Sequence, residues 1–331
     1  MMPDNTKIIL SKFYEGPVNL ALEEYLLRNC DKNTVILYLW QNDKTIVIGR
    51  HQNPYKECDI KKMEAEGVNL VRRKSGGGAV YQDLGNLNFT FISGREHHDI
   101  TRQYKVILKA LESYGIYGEI SGRNDLTVDG QKFSGNAFMN HKEVQCHHGT
   151  LLLDVDLEAL PKYLTPSLLK IKARGVDSVR SRVVNLRSLN EKITTEDLSA
   201  KIIEAFKEEY SFTGEIEEIG SDNVDTEVLN EAKAYEEWTW NYGKAPSFDL
   251  TLEEKFPWGV FEMDLSTKNG RIQEAAVNTD CILKEDFMPL TKDLVGTPLA
   301  AKEIEQILQK SLQNPEIIRD LQSLVRGKLQ K

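Results

Sequence analysis

Residues Arg72–Asp83 read RRKSGGGAVYQD and come directly after the apolar run Val68–Val71. The three consecutive glycines allow positive φ angles and let a ligand approach the backbone N–H groups closely. Successive N–H groups in such a loop can form an anion-binding concavity, and arginine adds a planar charged group suited to carboxylate or phosphate. The stretch therefore predicts a strand that leads into an anion-binding loop. The alternative is a flexible turn between two strands with solvated arginines.

The composition is that of a soluble globular protein. The 331 residues are enough for two domains, or for one large domain with an appendage, and 40% hydrophobic with 28% charged residues fits a sizeable core. The net charge of −9 argues against a general nucleic-acid binder. The 4 cysteines are far apart without CxxC spacing, which is typical of reduced thiols. Neither a signal peptide nor a membrane-spanning run is evident, so we expect a cytoplasmic protein without a membrane contact.

Two helices are predicted before the glycine loop. The first covers Asn19–Leu27, with Asn19 as its N-cap. The second runs from Pro54 to about Glu66, because proline is tolerated in the first turn, and Gly67 ends it.

Strands flank the loop on both sides. The β-formers Thr34–Trp40 and Thr45–Gly49 are joined by Asn42-Asp43, which predicts a buried hairpin. In the return strand, Asn86–Ile92, polar and apolar residues alternate. That alternation predicts one buried face and a second face that lines a site.

The middle of the chain contains a strong hairpin signal. Asp129-Gly130 stands between β-like segments and places Lys132 at the start of the returning strand. A helix is expected over Asp99–Tyr114, where apolar residues recur at helical spacing, and Ser178–Val183 reads as a loop or edge strand. Further elements are a strand at His148–Leu153 and helices around Leu157–Leu164, Thr195–Tyr210 and Asp222–Glu237.

The pattern changes to glycine, proline and aromatic residues over Trp238–Pro246. We place the domain boundary there, with a large domain at residues 1–243 and a small accessory domain at residues 248–331. In the small domain, two strands pair across Lys268–Gly270, and helices follow near Ala300–Gln313 and Pro315–Leu329. The fold class is therefore α+β, with mixed sheets and flanking helices in the large domain and a small α+β unit after it.

Three polar clusters could carry chemistry. They are the arginine–glycine loop, the group Asn124, Asp125 and Lys132, and the run Cys146–Thr150. Glycine amides with arginine and lysine form a cationic cradle that stabilises charge at a transferring phosphoryl group. The structural alternatives are an exposed hairpin lysine and a turn-forming aspartate.

Metal binding and cysteine catalysis are two further interpretations. His141, Cys146, His147 and His148 could resemble zinc ligands, but adjacent histidines on a strand point to opposite faces and no second spaced pair is present. Cys146 beside histidine could be a nucleophile. The structural alternative, an unreactive thiol at the start of a strand, is favoured.

Four segments in order, RRKSGGGAVYQDLGNLNFTF, GRNDLTVDGQKFSGNA, HHGTLLLD and GVDSVRSRVVNL, resemble the bacterial lipoate–protein ligase A family. WNYGKAPSF and WGVFEMDLS extend the resemblance into the family's small C-terminal domain, so it covers nearly the whole chain. It implies the fold shared by biotin and lipoate protein ligases, although the GRGRxG loop of biotin ligases is absent.

The resemblance also implies residue roles. The lipoate- and phosphate-binding loop falls on Arg73–Gly78, and Lys132, Arg73 and Asp125 are the implied catalytic residues. Lys132 would contact the activated carboxylate and the α-phosphate, while Mg²⁺ entering with ATP could use Asp125. The implied lipoate and ATP positions are Arg73, Ser75, Gly76, Gly77, Gly78, Val80, Tyr81, Asn86, Asn124, Asp125, Lys132, Ala137, His148, Ser178, Arg180 and Ser181. Gln82 departs from the histidine common in the motif.

The implied reaction has two steps: ATP converts lipoate to lipoyl-AMP, and a carrier lysine then takes the lipoyl group. The expected carriers are apo lipoyl domains of 2-oxoacid dehydrogenase E2 subunits and the glycine cleavage H protein, and the enzyme is expected to be a monomer. Two alternatives stay open. One is an octanoyl or lipoyl transferase that uses Cys146, and the other is a lipoate-binding module without catalytic activity.

Overall fold

The computed structural model describes residues 2–122, 124–164, 183–212, 214, 216–242 and 250–329. The strands are β1 (Asn5–Ser11), β2 (Thr34–Trp40), β3 (Thr45–Ile48), β4 (Asn69–Arg72), β5 (Val80–Gln82), β6 (Asn86–Gly94), β7 (Glu119–Ser121), β8 (Asp125–Val128), β9 (Gln131–His141), β10 (Val144–Leu152), β11 (Ile216–Ile219), β12 (Leu250–Phe256), β13 (Gly259–Lys268) and β14 (Arg271–Thr279). The α-helices are α1 (Gly16–Asn29), α2 (Pro54–Glu57), α3 (Ile60–Glu66), α4 (Ile100–Glu112), α5 (Ala159–Tyr163), α6 (Leu186–Leu189), α7 (Thr195–Tyr210), α8 (Thr226–Glu236), α9 (Trp238–Asn241), α10 (Met288–Leu294), α11 (Ala301–Ser311) and α12 (Pro315–Leu329).

An 8-stranded mixed sheet, in the order β11-β1-β2-β6-β10-β9-β8-β7, forms the centre of the large domain. β1 runs parallel to β2 and β11, whereas β6, β8, β9 and β10 pair antiparallel with their neighbours. One face buries Phe89 and Phe91 against α4 and α7. The other face buries Tyr38 and Trp40 against α1 and α8. Both faces are therefore covered, which gives β6 nine buried residues in a row.

A second sheet of 3 strands, in the order β4-β3-β5, carries the glycine loop between β4 and β5. β3 pairs parallel with β4 and antiparallel with β5. The hairpin expected between Thr34–Trp40 and Thr45–Gly49 is therefore wrong, although both segments are buried strands. The connection at Asn42-Asp43 passes the chain from one sheet to the other, and the pairing is decided by strands far away in sequence.

The helix ends show where local signals were sufficient. Pro54 opens α2 and Gly67 ends α3 in the left-handed conformation at φ 69°, as predicted. The single helix expected there is divided, because Asp59 caps a new helix by accepting from Lys62 N. Asn19 is not an N-cap, since α1 begins at Gly16.

The two predicted hairpin turns are confirmed. Asp129 and Gly130 have φ angles of 51° and 75°, and Asn269 and Gly270 have 52° and 71°. Consecutive residues with positive φ form the turn type that matches the twist of antiparallel strands. The first turn joins β8 to β9 and the second joins β13 to β14.

The small domain has its own core. Strands β12-β13-β14 form a sheet, and its buried side chains, including Trp258 and Phe261, pack with those of α10, α11 and α12. Sequence reasoning missed β12 and α10. The two-part α+β architecture agrees with the predicted fold class, whereas the boundaries at 243 and 248 stay a prediction, because residues 243–249 are outside the described part. Within that part, no helix is long and apolar enough to cross a membrane.

Candidate active site

The glycine loop is held in place by backbone contacts on both sides. Arg73 N donates to Ile48 O at 3.0 Å, and Arg50 N donates to Ser75 O at 2.9 Å. Gly77 has φ 91°, a conformation that favours glycine. A Cβ at Gly49 would lie only 2.1 Å from Gly77 O. The glycines are therefore required by the close approach of two loops.

Arg73 is buried and forms hydrogen bonds with several residues of this loop. Its guanidinium donates to Ser75 Oγ at 3.0 Å and Val47 O at 3.0 Å, and to Gly76 O at 2.6 Å and Gly78 O at 2.8 Å. Burial lowers the pKa of Arg73 to about 10, so the group stays charged at neutral pH. These bonds fix the carbonyl groups of Gly76 and Gly78. Its predicted catalytic role stays a prediction.

Arg72 connects the loop to the end of the large domain. Its guanidinium donates to Trp240 O at 2.9 Å, Asn241 O at 2.8 Å and Gln52 O at 2.6 Å. Because α9 immediately precedes residues 243–249, this arginine ties the strand before the glycine loop to the start of the connection between domains.

A chain of buried hydrogen bonds connects Ser75, in the glycine loop, to His148 and Glu23. Ser75 Oγ lies 2.8 Å from His148 Nε2, and His148 Nδ1 lies 2.9 Å from Glu23 Oε1. Thr90 Oγ1 donates to the same carboxylate at 2.7 Å. Since a carboxylate oxygen accepts, His148 Nδ1 donates to Glu23. The chain fixes the orientation of Ser75 and of the imidazole, two predicted site residues.

Lys132 and Asp125 form an ion pair on the β8–β9 hairpin. Lys132 Nζ lies 2.7 Å from Asp125 Oδ1, and the two side chains are 36% and 37% exposed. A Cβ at Gly135 would be 2.9 Å from Nζ, so this glycine makes room for the folded-back lysine. The ammonium is therefore neither a freely mobile turn group nor fully desolvated.

Asn124 is clamped to β9 next to this pair. Asn124 Nδ2 donates to Asn136 O at 2.8 Å, and Asn136 Nδ2 donates to Asn124 O at 3.0 Å. Asn136 is also one of the residues that line a narrow cavity together with the glycine loop. The clamp therefore brings the hairpin carrying Asp125 to the edge of the glycine-loop cavity.

The glycine loop and β9 face each other across this cavity. The lining comprises Gly76, Gly77, Asn136, Ala137, Phe138, Cys281, Ile282 and Leu283. Ala137 stands opposite His148 in the β9–β10 register, and His148 reaches Ser75. The glycine loop and β9 therefore line one cavity, and Asn136 connects it to the β8–β9 hairpin that carries Lys132 and Asp125.

The small domain covers the loop. Gly77 N donates to Cys281 O at 3.2 Å, and a Cβ at Gly76 would be 2.4 Å from the same oxygen. Beside this contact, Thr279 N donates to His51 O at 3.1 Å, and Arg50 pairs with Asp286 at 3.3 Å. A backbone carbonyl of the small domain thus accepts a hydrogen bond from an N–H group that is predicted to bind an anionic ligand.

Other predicted residues lie deeper in the large domain. Val80 pairs with Val47 on β3, and the Tyr81 ring stacks on Tyr163 at 5.8 Å between ring centroids. Asn86 is fully buried and donates to Asn88 Oδ1 at 3.0 Å. The implied adenine contacts of Val80 and Tyr81 and the role of Asn86 as a polar site residue stay predictions.

Gln82, the departure from the family motif, is part of a buried amide network. It donates from Nε2 to Asn88 Oδ1 at 2.8 Å and accepts from Asn42 Nδ2 at 2.7 Å. Asn42 in turn accepts from Asn19 Nδ2 at 3.0 Å, which explains why Asn19 is fully buried inside α1. On the polar face expected for Asn86–Ile92, Asn86 and Asn88 join this network, whereas Thr90 donates to Glu23. All three side chains are buried.

Cys146 is buried beside the polar chain. Burial, followed by the negative charge of Glu23, raises the pKa of the Cys146 thiol well above its ordinary value. A protonated, inaccessible thiol is a poor nucleophile. His147 and His148 do point to opposite faces, and Glu23, Cys146 and His148 offer donor atoms within 4.8 Å of one another. The Glu23–His148 hydrogen bond already accounts for two of these three donors.

Ser178, Arg180 and Ser181 lie outside the described residues, so their predicted site roles stay predictions. Sequence reasoning missed Glu23. Its signal is an acidic residue on the apolar stripe of α1, in helical spacing with Leu20 and Leu27, both of which are buried.

Comparison with known proteins gives a consistent result. Residues 15–207 match the family model of the lipoyl protein ligase A/B catalytic domain, and residues 245–323 match that of the bacterial lipoate protein ligase C-terminus. The curated relative named lipoate-protein ligase A from Blochmanniella floridana is 39% identical over 324 residues, covering 96% of each chain. The protein of the same name from Psychrobacter cryohalolentis is 42% identical over 283 residues, covering 83% of each chain.

Solved structures share the fold. P. falciparum LipL1, crystallised in complex with lipoate, is 30% identical, with a TM-score of 0.85 over 98% of this chain and 100% of that chain. A bi-partite lipoate protein ligase from Thermoplasma acidophilum is 24% identical, with a TM-score of 0.63 over 74% of this chain and 99% of that chain.

Proposed function

The chain belongs to the lipoyl protein ligase A/B family, and on this premise we propose that it is an enzyme that uses ATP to join free lipoate to a lysine of a carrier protein. The observation that carries the proposal is the shared cavity of the glycine loop and β9, with the Lys132–Asp125 pair on the adjoining hairpin. Amide donors and a cation at one place offset the repulsion between two anionic substrates.

The proposed first step forms a mixed anhydride. A carboxylate oxygen of lipoate attacks the α-phosphorus of ATP, the bond to the β-phosphate oxygen breaks, and pyrophosphate leaves. Lys132 would stabilise the carboxylate and α-phosphate oxygens, and the N–H groups of Gly76 and Gly77 would bind oxygens on the other side. Arg73 and Ser75 would hold the loop in the required shape.

In the second step, the neutral amine of a carrier lysine attacks the lipoyl carbonyl carbon. An amide bond forms and AMP leaves. No enzyme nucleophile is required, which agrees with the burial of Cys146 and its raised pKa. These observations disfavour the cysteine-dependent transferase.

Mg²⁺ fits the site as a companion of ATP. The ion commonly uses one or two carboxylates together with substrate phosphates, and Asp125 is a partly exposed carboxylate on the β8–β9 hairpin. When bound with ATP, Mg²⁺ would neutralise part of the phosphate charge. Asp125 would hold the ion and keep Lys132 oriented.

We infer that the carriers are apo lipoyl domains of E2 subunits and the glycine cleavage H protein, and that the enzyme works in the cytoplasm as a monomer. Ser178, Arg180 and Ser181 are proposed to close over the nucleotide. Lipoate salvage would be the cellular role, since free lipoate is the substrate.

One experiment tests the reaction class. The protein is incubated with ATP and Mg²⁺, with and without lipoate, and pyrophosphate is measured; apo carriers are then added and their intact masses are recorded. Lipoate-dependent pyrophosphate release and a lipoyl mass gain on a carrier are expected. Release that does not depend on lipoate would contradict the proposal, as would an acyl adduct on Cys146 with no adenylate. Lipoate binding without any pyrophosphate would indicate a non-catalytic module.

A further inference from the structure

His147 is fully buried among aromatic side chains. Phe138 and Phe91 stack on it at 4.8 and 6.1 Å between centroids, and Phe89 and Tyr104 meet it edge-on at 5.5 and 5.0 Å. Four aromatic neighbours therefore define the plane of the imidazole. Both ring nitrogens have polar partners, as buried polar groups in native proteins generally do, so the identity of these partners decides what the ring positions.

The partners form a line that leads to the site. Gln103 Oε1, on α4, lies 2.8 Å from His147 Nδ1, and Asn136 Oδ1, on β9, lies 2.9 Å from His147 Nε2. Asn136 Nδ2 donates to Asn124 O, so its Oδ1 is the accepting end. Burial lowers the pKa of His147 well below its ordinary value, and a neutral imidazole carries a single N–H. In the tautomer that carries it on Nε2, His147 donates to Asn136 and Gln103 turns its NH₂ toward Nδ1.

Asn136 in turn fixes the turn that precedes Asp125. Its backbone N and its Nδ2 both donate to Asn124 O at 3.0 Å, and its carbonyl accepts from Asn124 Nδ2 at 2.8 Å. The space for the Asn136 amide depends on Gly149, where a Cβ would be 2.3 Å from Asn136 Oδ1. The absence of a side chain at Gly149 therefore leaves room for the Asn136 amide in this orientation.

We propose that His147 is a positioning residue for the adenylation step: it holds the Asn136 amide, which clamps Asn124 and thereby sets the position of Asp125 and its partner Lys132. This inference rests on the proposed function. His147 is remote from the reacting atoms and acts through Asn136. Without the Nε2–H donor, Asn136 Oδ1 is a buried acceptor with no partner from this ring. The side-chain hydrogen bond from Asn136 Nδ2 to Asn124 O is then weakened, and the clamp depends on the hydrogen bonds of the Asn136 backbone.

The test compares His147→Phe, which keeps an aromatic ring but removes the donor, with His147→Gln, whose NH₂ can reach the position of Nε2. A matched core control is Phe206→Leu, because Phe206 is fully buried and packs on Phe91 without joining the polar line. We expect kcat for lipoate-dependent pyrophosphate release to fall about 10- to 100-fold in His147→Phe, since a 1 Å misplacement can cost about that much. The KM for lipoate should change little, and His147→Gln should recover most of the rate.

Amide hydrogen exchange at Asn136 N–H gives a readout that does not require activity. It should accelerate in His147→Phe and stay near the wild-type rate in Phe206→Leu. If the wild type releases no pyrophosphate, the proposed function fails. The exchange rates then still test whether His147 holds Asn136 against Asn124. Wild-type kcat per folded molecule in His147→Phe would overturn the proposal. So would unchanged exchange in His147→Phe, or a His147→Gln variant as impaired as His147→Phe.

Discussion

Replacing Lys132 with alanine should stop adenylation while leaving the fold intact. Lys132 Nζ lies 2.7 Å from Asp125 Oδ1 on the β8–β9 hairpin, where we propose that it meets the carboxylate and α-phosphate as they approach. Loss of one preorganised donor typically lowers the rate by ~10²–10³, or about 2.7–4 kcal/mol of transition-state stabilisation, and loss of a full charge can lower it further.

The expected effect on stability is much smaller. With both side chains more than a third exposed, the pair should contribute about 0–1 kcal/mol. For a domain of this size, 1 kcal/mol corresponds to a change of about 2–4 °C in melting temperature. A large rate loss with a small melting shift is therefore the specific signature of a catalytic lysine.

The assay is single-turnover lipoyl-AMP formation together with a thermal melt of each variant. Lys201→Ala is a matched control, because Lys201 pairs with Glu204 at 2.8 Å and is 40% exposed, on α7 and remote from the cavity. The control should keep the wild-type rate. Lys132→Arg should restore little activity, since a planar fork cannot replace a compact ammonium. Wild-type adenylation in Lys132→Ala would show that this lysine is only a solvated hairpin residue.

Three other outcomes follow from the same geometry. Cys146→Ser should retain near-normal lipoylation of a carrier by intact mass, because the acyl group is proposed to travel on AMP; complete loss would indicate a thioester route. Because the Gly77–Cys281 hydrogen bond occupies a loop donor, the small domain should reorient when lipoyl-AMP forms, and superimposable scattering profiles with and without lipoyl-AMP would contradict this. Burial, followed by the charge of Arg50, lowers the pKa of His51 to about 4, so His51 should destabilise the folded state progressively as the pH falls from about 6.5 to 4, where only the unfolded chain gains the proton. Urea unfolding of His51→Phe should show a weaker pH dependence than the wild type over that range, and equal slopes would refute the assignment.

The sequence by itself determined the features that depend on a few neighbouring residues. Asp129-Gly130 predicts its turn because consecutive positive φ angles favour aspartate and glycine. Thr195–Tyr210 predicts α7 with its full bounds, and Gly67 predicts the end of α3. The ordered motifs were specific enough to indicate the family, which the relatives and family models support.

Only the tertiary structure decided which of these elements meet. Thr45–Ile48 has the composition of a buried strand, but that composition does not say which sheet it joins. Glu23 and His148 are 125 residues apart and share a hydrogen bond that neither local pattern contains. Asn19 has the residue type of a helix cap, but its side chain donates to Gln41 O, 22 residues away. Backbone propensity acts over a few residues, whereas the partner of a buried polar group is chosen by whichever acceptor or donor the packed sheets bring within about 3 Å.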